Sequence, residues 1–177
     1  QLGLAWVEEL SAEIDQLLRA QGLARGSVGE RMAALDRDPR FLKPDTEAGR
    51  QAIIDYASAH LDRIKGLLPR GFRVIPDRPV EVQRISPAIQ DGAPGAFYSA
   101  SSDPAQTSTI FLNLRSVAEN ALWRIPTLLH HEGIPGHHFQ DSVLSEAGGL
   151  SLFRRTVRFS AWSVGWSLCA GHRAGAI

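Results

Sequence analysis

The stretch from His130 to Gln140, HHEGIPGHHFQ, limits the fold more than any other part of the sequence. It carries a helical motif, but a Pro135-Gly136 pair lies in its middle. Proline cannot donate a backbone hydrogen bond, and glycine tolerates unusual backbone angles. One regular helix therefore cannot run through the stretch. We predict a kink or bulge that loops out about two residues at this pair, a feature that tends to occur at functional sites.

The same stretch holds four of the six histidines of the chain, together with Glu132. Zinc binds neutral imidazole nitrogens and carboxylate oxygens, usually as a tetrahedron. In the common His-Glu-x-x-His helix, the two histidines lie one turn apart and the glutamate acts as general base. Here His131 and Glu132 form the first half of that motif, but Pro135 stands where the second histidine is expected.

Helix geometry shows why the interruption matters. His138 follows His131 by seven positions, which is about 10 Å along a regular helix and too far for one zinc ion. A break at Pro135-Gly136 shortens this path. We predict His131 and His137 as zinc ligands, with His138 as the alternative second ligand, and Glu132 as the catalytic base. The histidines that do not bind zinc are expected to orient ligands or contact substrate.

The rest of the chain predicts a mainly α fold with a small β-sheet, an α+β class. Ser27 and Asp45 are predicted helix N-caps, and the helix after Asp45 has a predicted buried stripe of Ile53, Ala57, Leu61, Ile64 and Leu68. Helical patterns also cover 4–22, 117–123, 126–133 and 152–175. Short strands are predicted at 72–76, 80–86, 95–99 and 107–114, the last two as a hairpin.

These elements predict a single domain over 1–177. It consists of a helical part at 1–70, a small sheet at 71–114, and the motif helix with the following helices at 115–177. Both ends of the chain resemble cuts inside a larger protein. Trp162 and Trp166 lie four positions apart on one helical face, and we predict that both pack in the core.

Composition restricts the partners. Nineteen basic side chains balance nineteen acidic ones, so there is no electrostatic argument for a nucleic-acid partner. Cys169 is the single cysteine, which excludes an internal disulfide. No apolar run reaches the roughly 20 residues that a membrane-spanning helix needs, and no Gly-x-Ser-x-Gly motif supports a serine hydrolase of that type.

The motif HEGIPGHHFQ closely resembles the signature of a bacterial family known as domain of unknown function 885, which is grouped with the gluzincin-type zinc metallopeptidases. The segments LPRGFRVIPDRPVEVQRI, APGAFYSAS and TIFLNL precede the motif in the expected order, and FRRTVRFSAW and GWSL follow it. The resemblance covers most of the chain, from about residue 45 onward. The family normally continues well beyond the end of this chain.

The resemblance implies a zincin-like metallopeptidase domain, here a fragment of a larger helical protein. Two motif histidines and a glutamate of a later helix would hold zinc, and Glu132 would be the base for hydrolysis of a peptide or small amide. TIFLNL would be an edge strand with which an extended substrate can pair. Family members often carry export or lipoprotein signals, which favours the cell envelope or secretion, and the oligomeric state stays open.

One landmark of the family is altered. The family pattern Glu-Gly-Trp-(Ala/Ser)-Leu-Tyr-(Ala)-Glu reads VGWSLCAG here, so Val164 and Gly171 replace the two glutamates from which the third ligand would come. Cys169 and His172 are the possible substitutes.

Two functions follow from these residues. The first is a zinc-dependent peptidase, and the alternative is an inactive, peptidase-like binding or structural module with a degraded ligand motif. The possible substrate contacts are His138, Asn113 and Arg155, the last as part of a small basic cluster that could hold a carboxylate.

Overall fold

The computed structural model describes residues 2–101, 103, 105–151, 153, 154, 157 and 159–174. It shows a mainly helical protein with one small three-stranded sheet, which confirms the predicted α+β class. The core lies between the longest helix, the sheet and the helices of the histidine motif.

Three helices form the first part of the chain: α1 (Leu2–Ala20), α2 (Val28–Leu35) and α3 (Glu47–Leu67). Ser27 caps α2 as predicted, in a reciprocal capping box with Glu30. The cap of α3 was predicted wrongly. Thr46 accepts the hydrogen bond from the backbone of Gly49, whereas the Asp45 carboxylate, one residue earlier, pairs with Arg50.

The apolar stripe of α3 forms one side of the core. All five predicted residues are buried, and Ile53 and Ala57 have no exposed surface. A 3₁₀ turn, Leu68–Arg70, ends the helix at the expected proline. One polar side chain shares this buried face, because His60 is also buried.

The sheet contains β1 (Val80–Arg84), β2 (Ala96–Ser99) and β3 (Ser108–Leu112) in the order β1-β3-β2. The predicted hairpin is confirmed, because β2 and β3 pair antiparallel, while β1 pairs parallel to β3. The predicted edge position of TIFLNL is wrong. β3 is the central strand and is paired on both sides, so an extended substrate cannot add to it. The predicted strand at 72–76 is irregular.

The motif occupies two helices, α4 (Ile125–Glu132) and α5 (His137–Glu146), and the last helix is α6 (Ser160–Ala174). Pro126 lies in the first turn of α4 as expected. Only a 3₁₀ turn, Val117–Glu119, forms where a helix over 117–123 was predicted. The tryptophans of α6 differ in environment. Trp166 is half-buried against the core, whereas Trp162 is 71% exposed, so its predicted core position is wrong.

Among the described residues, no helix is both long enough and apolar enough to span a bilayer.

Candidate metal centre

The histidine motif is divided between two helices. α4 ends at Glu132 and α5 begins at His137. The backbone N–H groups of Gly133 and Ile134 both donate to the carbonyl of Leu129, at 2.8 and 3.1 Å. The following Ile134–Pro135 peptide bond is cis. The predicted interruption is therefore present, but as a complete break between two helices rather than a bulge within one.

Gly136 allows the two helices to meet closely. A Cβ atom at this position would lie 1.9 Å from the carbonyl oxygen of His131 and 2.3 Å from that of His130. Both oxygens belong to the backbone, so no side-chain movement could relieve the overlap. Only glycine lets the start of α5 approach the end of α4 in this way.

This close approach brings His131 and His137 together. Their ring centroids are 5.0 Å apart and the rings are nearly perpendicular, at 89°. Glu132 follows His131 directly and is half-buried at the end of α4. The Nδ1 atom of His137 lies 3.3 Å from the hydroxyl oxygen of Ser163 on α6. The two imidazoles that sequence spacing selected are therefore neighbours, and a side chain of the last helix contacts one of them.

The last helix also contacts the break itself. The indole N–H of Trp166 donates to the carbonyl of Pro135 at 2.8 Å. The indole lies parallel to the ring of Phe139 on α5, with centroids 6.4 Å apart. Trp166 thus ties α6 to the segment that determines the separation of His131 and His137.

His130 points to a different neighbour, His60 on α3, with 3.0 Å between the two Nε2 atoms. Arg63 lies 3.3 Å from Nδ1 of His60. A guanidinium can only donate, so His60 accepts at Nδ1 and donates from Nε2 to His130. Burial first, and then the neighbouring His60 and Arg63, lower the pKa of His130 to about 4. Burial and Arg63 also lower the pKa of His60.

His138, the alternative ligand, is 2% exposed. Its Nε2 lies 3.1 Å from the carbonyl oxygen of Arg78, and its Nδ1 lies 3.2 Å from the hydroxyl oxygen of Tyr98. Nε2 therefore donates to the carbonyl, and Nδ1 accepts from the tyrosine. Burial lowers the pKa of His138 to about 4. With both ring nitrogens engaged inside the protein, His138 is positioned to join α5 to the sheet.

Asn113, another predicted substrate contact, does not join the histidine pair. The Asn113 amide nitrogen donates to three backbone carbonyls, the nearest being that of Gln90 at 2.7 Å. Its amide oxygen accepts from the backbone of Arg115. Asn113 therefore organises the loop before β2. Arg155 lies outside the described residues.

The positions of the lost glutamates lie on α6. Val164 is 42% exposed, and Gly171 follows seven positions later, on about the same side of the helix. Cys169 and His172 are exposed and line a separate cavity beside α1. Nine positions separate His172 from Ser163, which places them on roughly opposite faces of α6. Within the described part of the chain, no three His, Cys, Asp or Glu side chains are grouped to hold a metal.

Two contacts were missed from the sequence. Ser163 gives no local signal, because its contact with His137 joins residues 26 positions apart. His60 did give a signal. It lies within the apolar stripe of α3, one residue before Leu61, and a histidine at such a position needs a polar partner.

Comparison with known proteins agrees with this architecture. The family model described as "Bacterial protein of unknown function (DUF885)" matches residues 1–173. The chain belongs to this family. A solved structure, described as "the putative lipoprotein from Colwellia psychrerythraea", superposes with a TM-score of 0.92 at 34% sequence identity. The match covers 98% of this chain and 30% of the Colwellia protein. No curated protein matches the chain significantly.

Proposed function

We propose that this DUF885 chain contributes a histidine pair and a catalytic base to a zinc-dependent peptidase of the gluzincin type. The observation that carries the proposal is the pairing of His131 with His137, whose ring centroids are 5.0 Å apart across the helix break. Glu132 directly follows the first of these histidines, as in zinc peptidase helices.

The two imidazoles are ligands of a type that zinc prefers, but a catalytic zinc site needs one more protein ligand. His131 and His137 offer imidazole nitrogens, which zinc favours, but catalytic zinc sites normally have three protein ligands. Val164 and Gly171 have no donor atoms in their side chains, and no third ligand is grouped with the pair among the described residues. The chain therefore supplies part of a site, and the missing donor is the main question for activity.

The chemistry of the proposed reaction divides between the metal and the protein. Zinc, when bound, supplies a Lewis acid that polarises a carbonyl and activates water. Glu132 accepts the proton of the attacking water and passes it to the leaving amine. Ser163 positions the ring of His137 through its hydroxyl group. The contact of His130 with His60 holds α4 against α3. The contact of His138 with Tyr98 holds α5 against the sheet.

A second candidate is a peptidase-like binding or structural module without hydrolytic activity. The observation that favours it is the loss of both glutamates on α6, where Val164 is exposed and Gly171 offers only hydrogen. The two candidates share the fold and differ in metal content.

The test is the zinc content of the purified chain, measured by elemental mass spectrometry, in the wild type and in His131→Ala. The peptidase predicts about one zinc per chain, lost in His131→Ala and kept in His172→Ala, a matched change of an exposed histidine. It also predicts that Glu132→Gln keeps the metal and loses cleavage of a mixed peptide substrate by a factor of about 10²–10⁴. Zinc far below one per chain, with no effect of Glu132→Gln, would support the inactive module.

A further inference from the structure

A large apolar cavity lies next to the histidine pair. Its volume is about 840 Å³, within the roughly 300–1,000 Å³ of pockets that bind small organic ligands. Its walls come from α5, α6, the turn after α3, and four residues between α5 and α6: Phe153, Arg154, Val157 and Phe159. Apolar side chains form most of the surface, among them Phe72, Phe139, Val143, Leu144, Trp162 and Trp166.

The cavity shares a wall with the candidate metal centre. Ser163 lines the cavity and lies 3.3 Å from His137. Gln140 also lines it, one turn after His137 on α5. The amide nitrogen and oxygen of Gln140 are buried and have no hydrogen-bond partner among the described residues. Because these two atoms are closed off from the cavity, the polar link between the cavity wall and the histidine pair is the hydroxyl group of Ser163.

The charges around the cavity are of one sign. Arg73 and Arg154 line it, and no Asp or Glu is among the described residues of its walls. A lysine or arginine side chain entering this space would lose its hydration without meeting a carboxylate, which is strongly unfavourable. A neutral apolar side chain would lose only contact with water, which is favourable.

We propose that this cavity is the specificity pocket of the chain and binds a large apolar side chain, aromatic or long aliphatic, of a peptide. The backbone of that ligand passes Ser163 and His137, at the wall that the cavity shares with the histidine pair. The role of the ligand as a substrate rests on the proposed peptidase function, but its binding does not.

Binding can be measured without turnover, because Trp162 and Trp166 line the cavity and their fluorescence reports its occupation. The probes are N-acetyl-Gly-Phe-amide, the leucine analogue and the lysine analogue, titrated in the presence of a chelator. We expect saturable changes for the phenylalanine and leucine probes. The lysine probe should bind at least about tenfold more weakly, because its charge has no partner.

Two variants locate the binding. Trp162→Ala removes part of the wall, and since Trp162 is 71% exposed the core keeps its packing. It should weaken binding of the phenylalanine probe about fivefold or more, read as the change in Trp166 emission above the constant background of Trp6 and Trp123. Leu168→Ala, a similarly exposed position on α6 that lines the other cavity, is the matched control and should bind as the wild type does.

The outcomes separate this inference from the proposed function. Selective binding of the apolar probes that persists in His131→Ala supports the pocket even if the chain cleaves nothing. Equal binding of phenylalanine and lysine probes, absence of saturable binding, or equal effects of Trp162→Ala and Leu168→Ala would overturn the pocket. Cleavage by the wild type without preference for apolar residues would also overturn it, while leaving the peptidase intact.

Discussion

The break between α4 and α5 is in contact with the last helix, α6. The two regions differ in how strongly packing limits which side chain each position can hold. At the break, Pro135 is fully buried and Gly136 has no room for a methyl group. On α6, Gly165 and Gly171 have open space where a side chain would begin. Val164, between Ser163 and Gly165, is exposed.

The difference separates two properties of a metal centre. Bringing His131 and His137 together is a matter of backbone packing, and any change at Gly136 disturbs the core as well as the site. Supplying a third ligand from α6 depends only on which side chain an open position carries. The second property can therefore be lost or regained while the first is retained.

The largest effect is expected at the break. Gly136→Ala places a methyl group inside contact distance of two backbone oxygens, so we expect a loss of unfolding free energy of about 3 kcal/mol or more. Urea denaturation monitored by circular dichroism measures it. The matched change on the last helix, Gly165→Ala, meets no neighbour and should stabilise by about 0.5–1 kcal/mol through helix propensity. Equal effects of the two substitutions would remove the contrast between the regions.

A second, smaller effect concerns the contacts that hold α4. The pKa of His130 is lowered to about 4 and that of His60 is also lowered, so the unfolded chain binds more protons than the folded chain below about pH 6.5. The contribution of these histidines to the free energy of unfolding therefore has its full value above pH 6.5 and falls as the pH decreases towards 4. Because solvent reaches part of the His130 ring, we expect His130 to contribute only about 1 kcal/mol to this loss between pH 7 and pH 5.

Urea titrations at pH 7 and pH 5, with a chelator present, test this dependence. His60→Gln removes one titrating ring and Arg63's acceptor, so the loss of stability between the two pH values should become smaller. His172→Gln changes an exposed histidine on α6 and should leave the pH dependence unaltered. A wild type with the same stability at both pH values would contradict the neutral state of the His60–His130 pair.

The smallest effect on folding is expected on the last helix, where a ligand can be restored. Val164→Glu returns a carboxylate to an exposed position and should change the unfolding free energy by no more than about 0.5 kcal/mol. If α6 supplies the third ligand, zinc affinity should rise about tenfold or more, measured by competition with a chromogenic chelator. Leu168→Glu adds the same charge at another exposed position and should not increase the affinity.

Periodic patterns predicted the elements that depend on local sequence. The stripe from Ile53 to Leu68 identified the buried face of α3, and Ser27 identified the start of α2. The interruption of the helix at Pro135-Gly136 was also predicted, because these two residues directly determine which backbone conformations are possible. The choice of His131 and His137 as neighbours followed from the spacing of the motif together with this interruption.

Contacts between residues far apart in the sequence could not be predicted from local patterns. The strand order, with β3 central, depends on parallel pairing with β1, which no local pattern encodes. His138 was a candidate ligand by spacing, but Tyr98 and Arg78, which are 40 and 60 positions away, engage both of its nitrogens. Trp162 and Trp166 share a helical pattern, yet only Trp166 reaches Phe139.

The hydrogen bond from Trp166 to Pro135 has a consequence for the motions of the centre. The indole hydrogen can exchange with solvent deuterium only when α6 separates from the break, since its acceptor is the carbonyl of the buried Pro135. Its exchange rate therefore reports how often the helix that holds Ser163 leaves the histidine pair. One nuclear magnetic resonance signal can thus follow the opening of the centre in solution.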